Sequence, residues 1–155
     1  MRFTANGRRA IALLSFLVLG GAVVVTREDE RAVRVVTPAD LTWTSVAGYP
    51  PGYARVMLDG EAAKAVPFAY RVRLPAHFQF QSHTHESDEH VTVLQGTWSF
   101  GVGDTFDASR LRAVPSGSFV IIPAGTPHFV ATEGETVVQV HGVGPIGFHP
   151  VTRKH

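Results

Sequence analysis

The chain has 155 residues, a formal net charge of +1 and 45% hydrophobic residues, enough for one packed domain of ordinary size. It contains no cysteine, which excludes disulfides, thiolate metal sites and a cysteine nucleophile and leaves the redox compartment open. With Arg2, Arg8 and Arg9 set aside, 11 basic residues face 13 acidic ones, a balance that gives no electrostatic footprint for nucleic acid or an anionic membrane.

Residues 1–9 carry three arginines and no acid, and residues 10–25 form an apolar run of 16 broken only by Ser15, Gly20 and Gly21. Glu28-Asp29-Glu30 follows. A basic segment, an apolar core and small residues predict a bacterial export signal, with Gly20-Gly21-Ala22 offering a cleavage point after Ala22. An uncleaved membrane anchor over residues 1–25 is the other reading, although the run is short for a spanning helix. Arg8-Arg9 also permits the twin-arginine route, which exports folded proteins. The protein is expected in the periplasm or outside the cell.

Beyond Arg31 no stretch sustains helical periodicity. Short β-branched and aromatic runs predict strands over 33–36, 53–58, 68–74, 79–81, 90–94, 97–102, 118–122, 128–131 and 136–141. Turn signals separate them, among them Asp59-Gly60, Gln95-Gly96, Pro115-Ser116-Gly117 and Pro123-Ala124-Gly125. Asp107 can cap one helical turn over 107–110, and 46–53 reads as irregular chain. The whole predicts an all-β antiparallel sandwich or barrel over residues 31–149.

His83 and His85 stand at i and i+2, so on extended chain both imidazoles face one side. Glu89 lies four residues on, and His128 follows the turn 123–127. Three imidazoles and a carboxylate suit Fe, Mn, Co, Ni, Cu or Zn as the divalent ion, and do not suit calcium or magnesium. His83-Thr84-His85, three residues, Glu89, six residues, Gly96 resembles the first cupin motif. Gly117, five residues, Pro123-Ala124-Gly125, two residues, His128 resembles the second. The resemblance covers roughly 71–132. It departs at His77, where the first motif opens with glycine, and at Thr132, where the second ends in asparagine. It implies a double-stranded β-helix, the cupin jelly roll, with one divalent transition metal held by His83, His85, Glu89 and His128 and one or two positions left open. It also implies a small-molecule substrate or ligand, and pairing into a homodimer through an edge strand.

Alternation adds expectations. With Glu89 and His128 inward, Val91, Val93, Val130 and Thr132 follow, giving an apolar lining with one hydroxyl. Gln139 and His141 share one face of the last strong strand, either solvated or turned toward the metal; if inward, His141 is the candidate general acid/base. Arg71 and Arg73 are solvated, or else inward and anion-binding. Phe78, Phe80, Trp98 and Phe100 read as core, Glu86 and Asp88 as surface, and His90 as facing away from Glu89. Residues 148–155 are a tail the sequence does not place. Two function classes stay open: a small-molecule metalloenzyme, with dioxygenase or oxidase chemistry ahead of isomerase or lyase chemistry, and a non-catalytic exported binder of a metal or small metabolite.

Overall fold

The computed structural model describes residues 33–152. The chain divides into Met1–Val35 and Val36–His155. Of the first unit only Val33–Val35 is described, as coil, so the strand expected over 33–36 is absent. The export segment read over 1–25 lies outside the described residues. Among the described residues no helix is long and apolar enough to cross a membrane.

The second unit is built from antiparallel strands in two sheets. One holds β1 (Thr44–Ser45), β2 (Ala54–Gly60), β3 (Pro67–Leu74), β10 (Thr136–Val143), β5 (Glu89–Gln95) and β8 (Phe119–Ile122), in that spatial order. The other holds β11 (His149–Pro150), β4 (Gln79–Thr84), β9 (His128–Ala131), β6 (Thr97–Val102) and β7 (Arg112–Pro115). The expected all-β, cupin jelly-roll class is what the chain adopts. The short strands β1, β7 and β11 escaped the sequence, because two to four residues carry too little alternation to be read.

The core lies between the inner faces. Strand β3 shows the rule most clearly: Phe68, Tyr70, Val72 and Leu74 are buried, while Arg71 and Arg73 point outward. Arg71 Nε donates to Gln139 Oε1 across the β3–β10 pair (3.3 Å), and Arg73 packs over the Trp43 ring (4.9 Å). The inward, anion-binding reading of these arginines is therefore corrected: both sit on the outer face.

The turns carry their expected residues. Gly96, between β5 and β6, has φ +75°, and a Cβ there would lie 2.5 Å from the Glu135 carbonyl oxygen. His77 stands where the motif opens with glycine, and it takes φ 58° itself, the left-handed conformation glycine adopts without a Cβ penalty. Thr132 does not enter the interior space. Its hydroxyl donates to Pro75 O (2.6 Å) and accepts from Phe78 N–H (3.2 Å), tying the strand end to the His77 turn. The turn over 107–110 forms as Ala108–Arg110, with Asp107 accepting from Ser109 N–H.

Candidate metal centre

Strands β4, β5 and β9, with the residue just past the end of β4, bring His83, His85, Glu89 and His128 together between the sheets. One ligand atom from each of His83, His85 and His128 lies within 4.8 Å of those of the other two, a group that can hold a metal ion. Glu89 Oε2 stands 3.5 Å from His85 Nε2 and 3.6 Å from His128 Nε2. His83, Glu89 and His128 are buried and His85 nearly so.

A backbone irregularity puts His83 there. Phe78 and Phe80 both face the core, so plain alternation would turn Ser82 inward and His83 outward. Phe80 pairs with Val130 and His83 with His128, so the two partners are three positions apart on β4 but two apart on β9. The extra residue is a β-bulge, which reverses the phase of the strand and aims His83 at the cluster. Ser82, displaced by the bulge, donates to Gly103 O (2.6 Å).

Each imidazole is fixed from behind by a backbone carbonyl. His83 Nδ1 bonds Gln81 O (2.8 Å), His128 Nδ1 bonds Thr126 O (3.0 Å), and His85 Nδ1 bonds Gly147 O. A carbonyl only accepts, so each Nδ1 carries the proton, and each Nε2 presents a lone pair. This is the arrangement by which an outer partner orients a metal-binding histidine. The Pro123–Gly125 turn adds support, because Gly125, at φ +73°, donates its N–H to His85 O (2.8 Å).

The electrostatics suit a cation. Burial, reinforced by the neighbouring His128, brings the His83 pKa down to about 3, and burial brings His128 down to about 4. Burial pushes Glu89 up. With every Nδ1 proton committed to a carbonyl, Glu89 Oε2 faces the Nε2 lone pairs of His85 and His128 at near-contact distance. An acceptor opposing acceptors in a dry site is unfavourable until a proton or a metal ion sits between them. The donor set, three imidazoles and one carboxylate, fits a divalent first-row transition ion.

The cluster lines a cavity of about 50 Å³ that opens to solvent. Val91 and Val130 line it as expected, Val93 does not, and Val138 and Val140 of β10 complete the apolar wall with Phe80 and Trp98 from the core. Three parts of the lining were not foreseen. Phe148 stacks on His83 (ring centroids 4.5 Å apart, 29° between planes), held there because His149–Pro150 pairs with β4. Tyr49 comes from the irregular segment before β2 and packs on Tyr53 (4.4 Å) and Phe148 (5.3 Å). Tyr70 comes from β3. Only alternation on β3 could have pointed to Tyr70, and no local signal marked the other two.

His141 is not among these residues. Val138 and Val140 face the cavity, which puts His141 on the opposite side of β10, beside His90 (5.3 Å) and the half-exposed Phe119 (6.0 Å). Of the two placements open from sequence, the outer one holds, and the role of acid/base beside the metal is withdrawn from His141. His90 faces away from Glu89, as expected. Asp88 accepts from Ala124 N–H (2.8 Å) at the surface. Glu86 is also at the surface, yet it reaches the site indirectly: it accepts from Gly147 N–H (2.5 Å) and pairs with His149 Nε2 (2.8 Å). The same Gly147 peptide offers its carbonyl to His85. The Gly147 N–H, the largest influence, helps hold the Glu86 carboxyl at about 2.

Residues 31–147 match the model of the ChrR cupin-like domain family. No curated protein matches the chain. Among solved structures, the chain resembles the polyketide cyclase RemF from Streptomyces resistomycificus at 19% identity and TM-score 0.66, over 79% of this chain and 88% of that one. It resembles the DMSP lyase DddQ from Ruegeria pomeroyi at 26% identity and TM-score 0.54, over 68% and 57%. A salicylate 1,2-dioxygenase from Pseudoaminobacter salicylatoxidans matches at 14% identity and TM-score 0.52, over 62% of this chain and 26% of its own.

Proposed function

The chain belongs to the ChrR cupin-like family, and from that premise we propose that it is a metalloenzyme acting on a small molecule, with one divalent transition ion held by His83, His85, Glu89 and His128. The observation that carries this reading is the Glu89 carboxylate facing two Nε2 lone pairs, in a cluster whose Nδ1 protons are all committed to carbonyls. When bound, the ion supplies Lewis-acid chemistry and, if redox-active, activation of dioxygen.

The protein's own part is binding, orientation and exclusion of water. The carbonyls of Gln81, Gly147 and Thr126 hold the three rings in one tautomer. Phe148 and the valine wall keep the reacting end dry. A dry, apolar wall favours oxidation by dioxygen over hydrolysis. A second reading, isomerase, cyclase or lyase chemistry, is favoured by the tyrosine hydroxyls in the same lining, which are suited to stabilise an enolate oxygen.

The test is elemental analysis of purified wild type and His85→Ala, followed by a substrate panel under aerobic and anaerobic conditions. One ion per wild-type chain, lost in the variant, is expected; equal metal content in the two sinks the site. Turnover confined to the aerobic arm selects oxygenase chemistry, and turnover in both arms selects the second reading. Ligand-induced thermal stabilisation with no turnover in either arm overturns the enzyme in favour of a binding protein.

A further inference from the structure

The residues that line the cavity are all buried except Tyr49, His85 and Phe148. The way in from solvent is therefore bordered by these three. His85 belongs to the histidine cluster, so the opening leads straight to the metal-binding atoms. Tyr49 and Phe148 are what a molecule must pass on its way there.

The opening is firmly framed. The Phe148 ring packs on His83 (centroids 4.5 Å apart), Tyr49 (5.3 Å) and Phe80 (5.3 Å). Its backbone is tied on both sides. Ile146 N–H donates to Ala62 O (2.8 Å), and Val151 N–H donates to Ser82 O (2.9 Å), beyond the pairing of His149 with Thr84. Tyr49 is braced in turn by Tyr53 (4.4 Å) and Phe80 (5.9 Å). A ring wedged among three others on an anchored backbone turns aside only by losing its packing. The bulk of the ring, rather than its motion, sets the width of the entrance.

The space behind it is small. The cavity has about 50 Å³ open to the centres of water-sized molecules. About 10–15 Å³ of such space holds one water, so there is room for roughly three to five atoms of that size, and a bound ion takes one of those places. We infer that Phe148, with Tyr49, is the specificity-determining wall of the site, limiting what reaches the ion to a molecule or end group of about two to four non-hydrogen atoms. A bulky group attached directly to the metal-binding atoms of a substrate is kept out by the Phe148 ring. The inference rests on the metal site proposed above.

The experiment uses the full chain loaded with cobalt(II), whose visible absorption reports a ligand entering an open position. Two probes share one carboxylate donor: formate, with nothing attached to it, and benzoate, with a ring attached directly. Formate should bind wild type at least about tenfold more tightly than benzoate, the order of penalty for forcing a ring into filled space. Phe148→Ala should tighten benzoate at least about tenfold and leave formate within about twofold, because deleting the ring leaves apolar space that admits an aromatic guest. Tyr49→Ala removes a ring that packs on Tyr53, Phe80 and Phe148 rather than on a histidine. It should shift the benzoate-to-formate ratio the same way by about threefold or more, and it decides the matter if Phe148→Ala does not hold cobalt. A role in packing alone would lower stability in both variants without moving that ratio. A chain that takes up no cobalt overturns the metal site and the size limit with it. A chain that takes up cobalt overturns the size limit alone if it binds benzoate as tightly as formate, binds neither, or keeps the wild-type ratio in the variants.

Discussion

Strands β5 and β10 form two histidine environments on opposite faces of one sheet. Inside, Glu89 of β5 meets His83, His85 and His128, with every Nδ1 anchored and the carboxylate pressed against lone pairs. Outside, His90 of β5 and His141 of β10 sit directly opposite each other in register, 5.3 Å apart, and His141 Nδ1 is buried without a hydrogen-bond partner. The residue type is the same; the backing is not. A ring becomes a ligand when its second nitrogen is fixed and its neighbours bring a carboxylate, and proximity of two imidazoles supplies neither.

The comparison breaks most sharply on substitution. His128→Ala should remove the bound ion entirely, while His141→Phe keeps one ion per chain. The outer variant should keep wild-type stability or gain up to about 1 kcal/mol, because it deletes an unsatisfied buried nitrogen. Metal analysis and urea denaturation read both effects. An ion lost from His141→Phe would erase the distinction between the two faces.

Acid gives a second measure. His83 and His128 are held at about 3 and about 4 in the folded chain, against about 6.5 when unfolded. Below that value the unfolded metal-free chain takes up protons that the native chain refuses, so stability falls as pH drops from about 6.5 toward 4. Each histidine contributes at most about 1.4 kcal/mol per pH unit. Glu89, shifted upward by burial, works the other way: its native form gains a proton first as pH falls toward the carboxylate range. The window between pH 6.5 and 5.5 therefore belongs to the histidines. Urea midpoints of metal-free protein at pH 7.5 and 5.5 should differ, and a flat profile would mean that burial does not hold the inner rings below their unfolded value.

Much of this contrast was legible in the sequence. The spacing of His83, His85, Glu89 and His128, with Gly96, Gly117 and Gly125 at the turns, carried the family, the fold class and the cluster. What escaped had physical reasons. The bulge at residues 81–82 puts His83 in phase with neither Phe78 nor Phe80, and alternation contains no term for an inserted residue. Gln139 and His141 gave only a slight preference for the solvated face, since a polar pair suits solvent or a metal pocket almost equally. Tyr49 and Phe148 lie outside the long strands, and only the tertiary pairing of β11 with β4 places Phe148 on His83.

Glu86 gives the finest test of what backing means, because it touches no ligand. It is a surface carboxylate that holds the Gly147 N–H, while the Gly147 carbonyl holds His85 Nδ1. Removing it leaves the His85 ring in place but frees the peptide that fixes its tautomer. Glu86→Ala should weaken metal binding about tenfold, the lower end of what loss of an outer partner costs. Glu86→Gln keeps an oxygen to accept from Gly147 and loses the ion pair with His149, which is largely exposed and worth little. It should therefore recover most of the affinity. Chelator competition measures all three proteins. Rescue by glutamine assigns the effect to the hydrogen bond through Gly147. Equal weakening in both variants would assign it to the negative charge instead, and backing through Gly147 would then not be what separates His85 from His90 and His141.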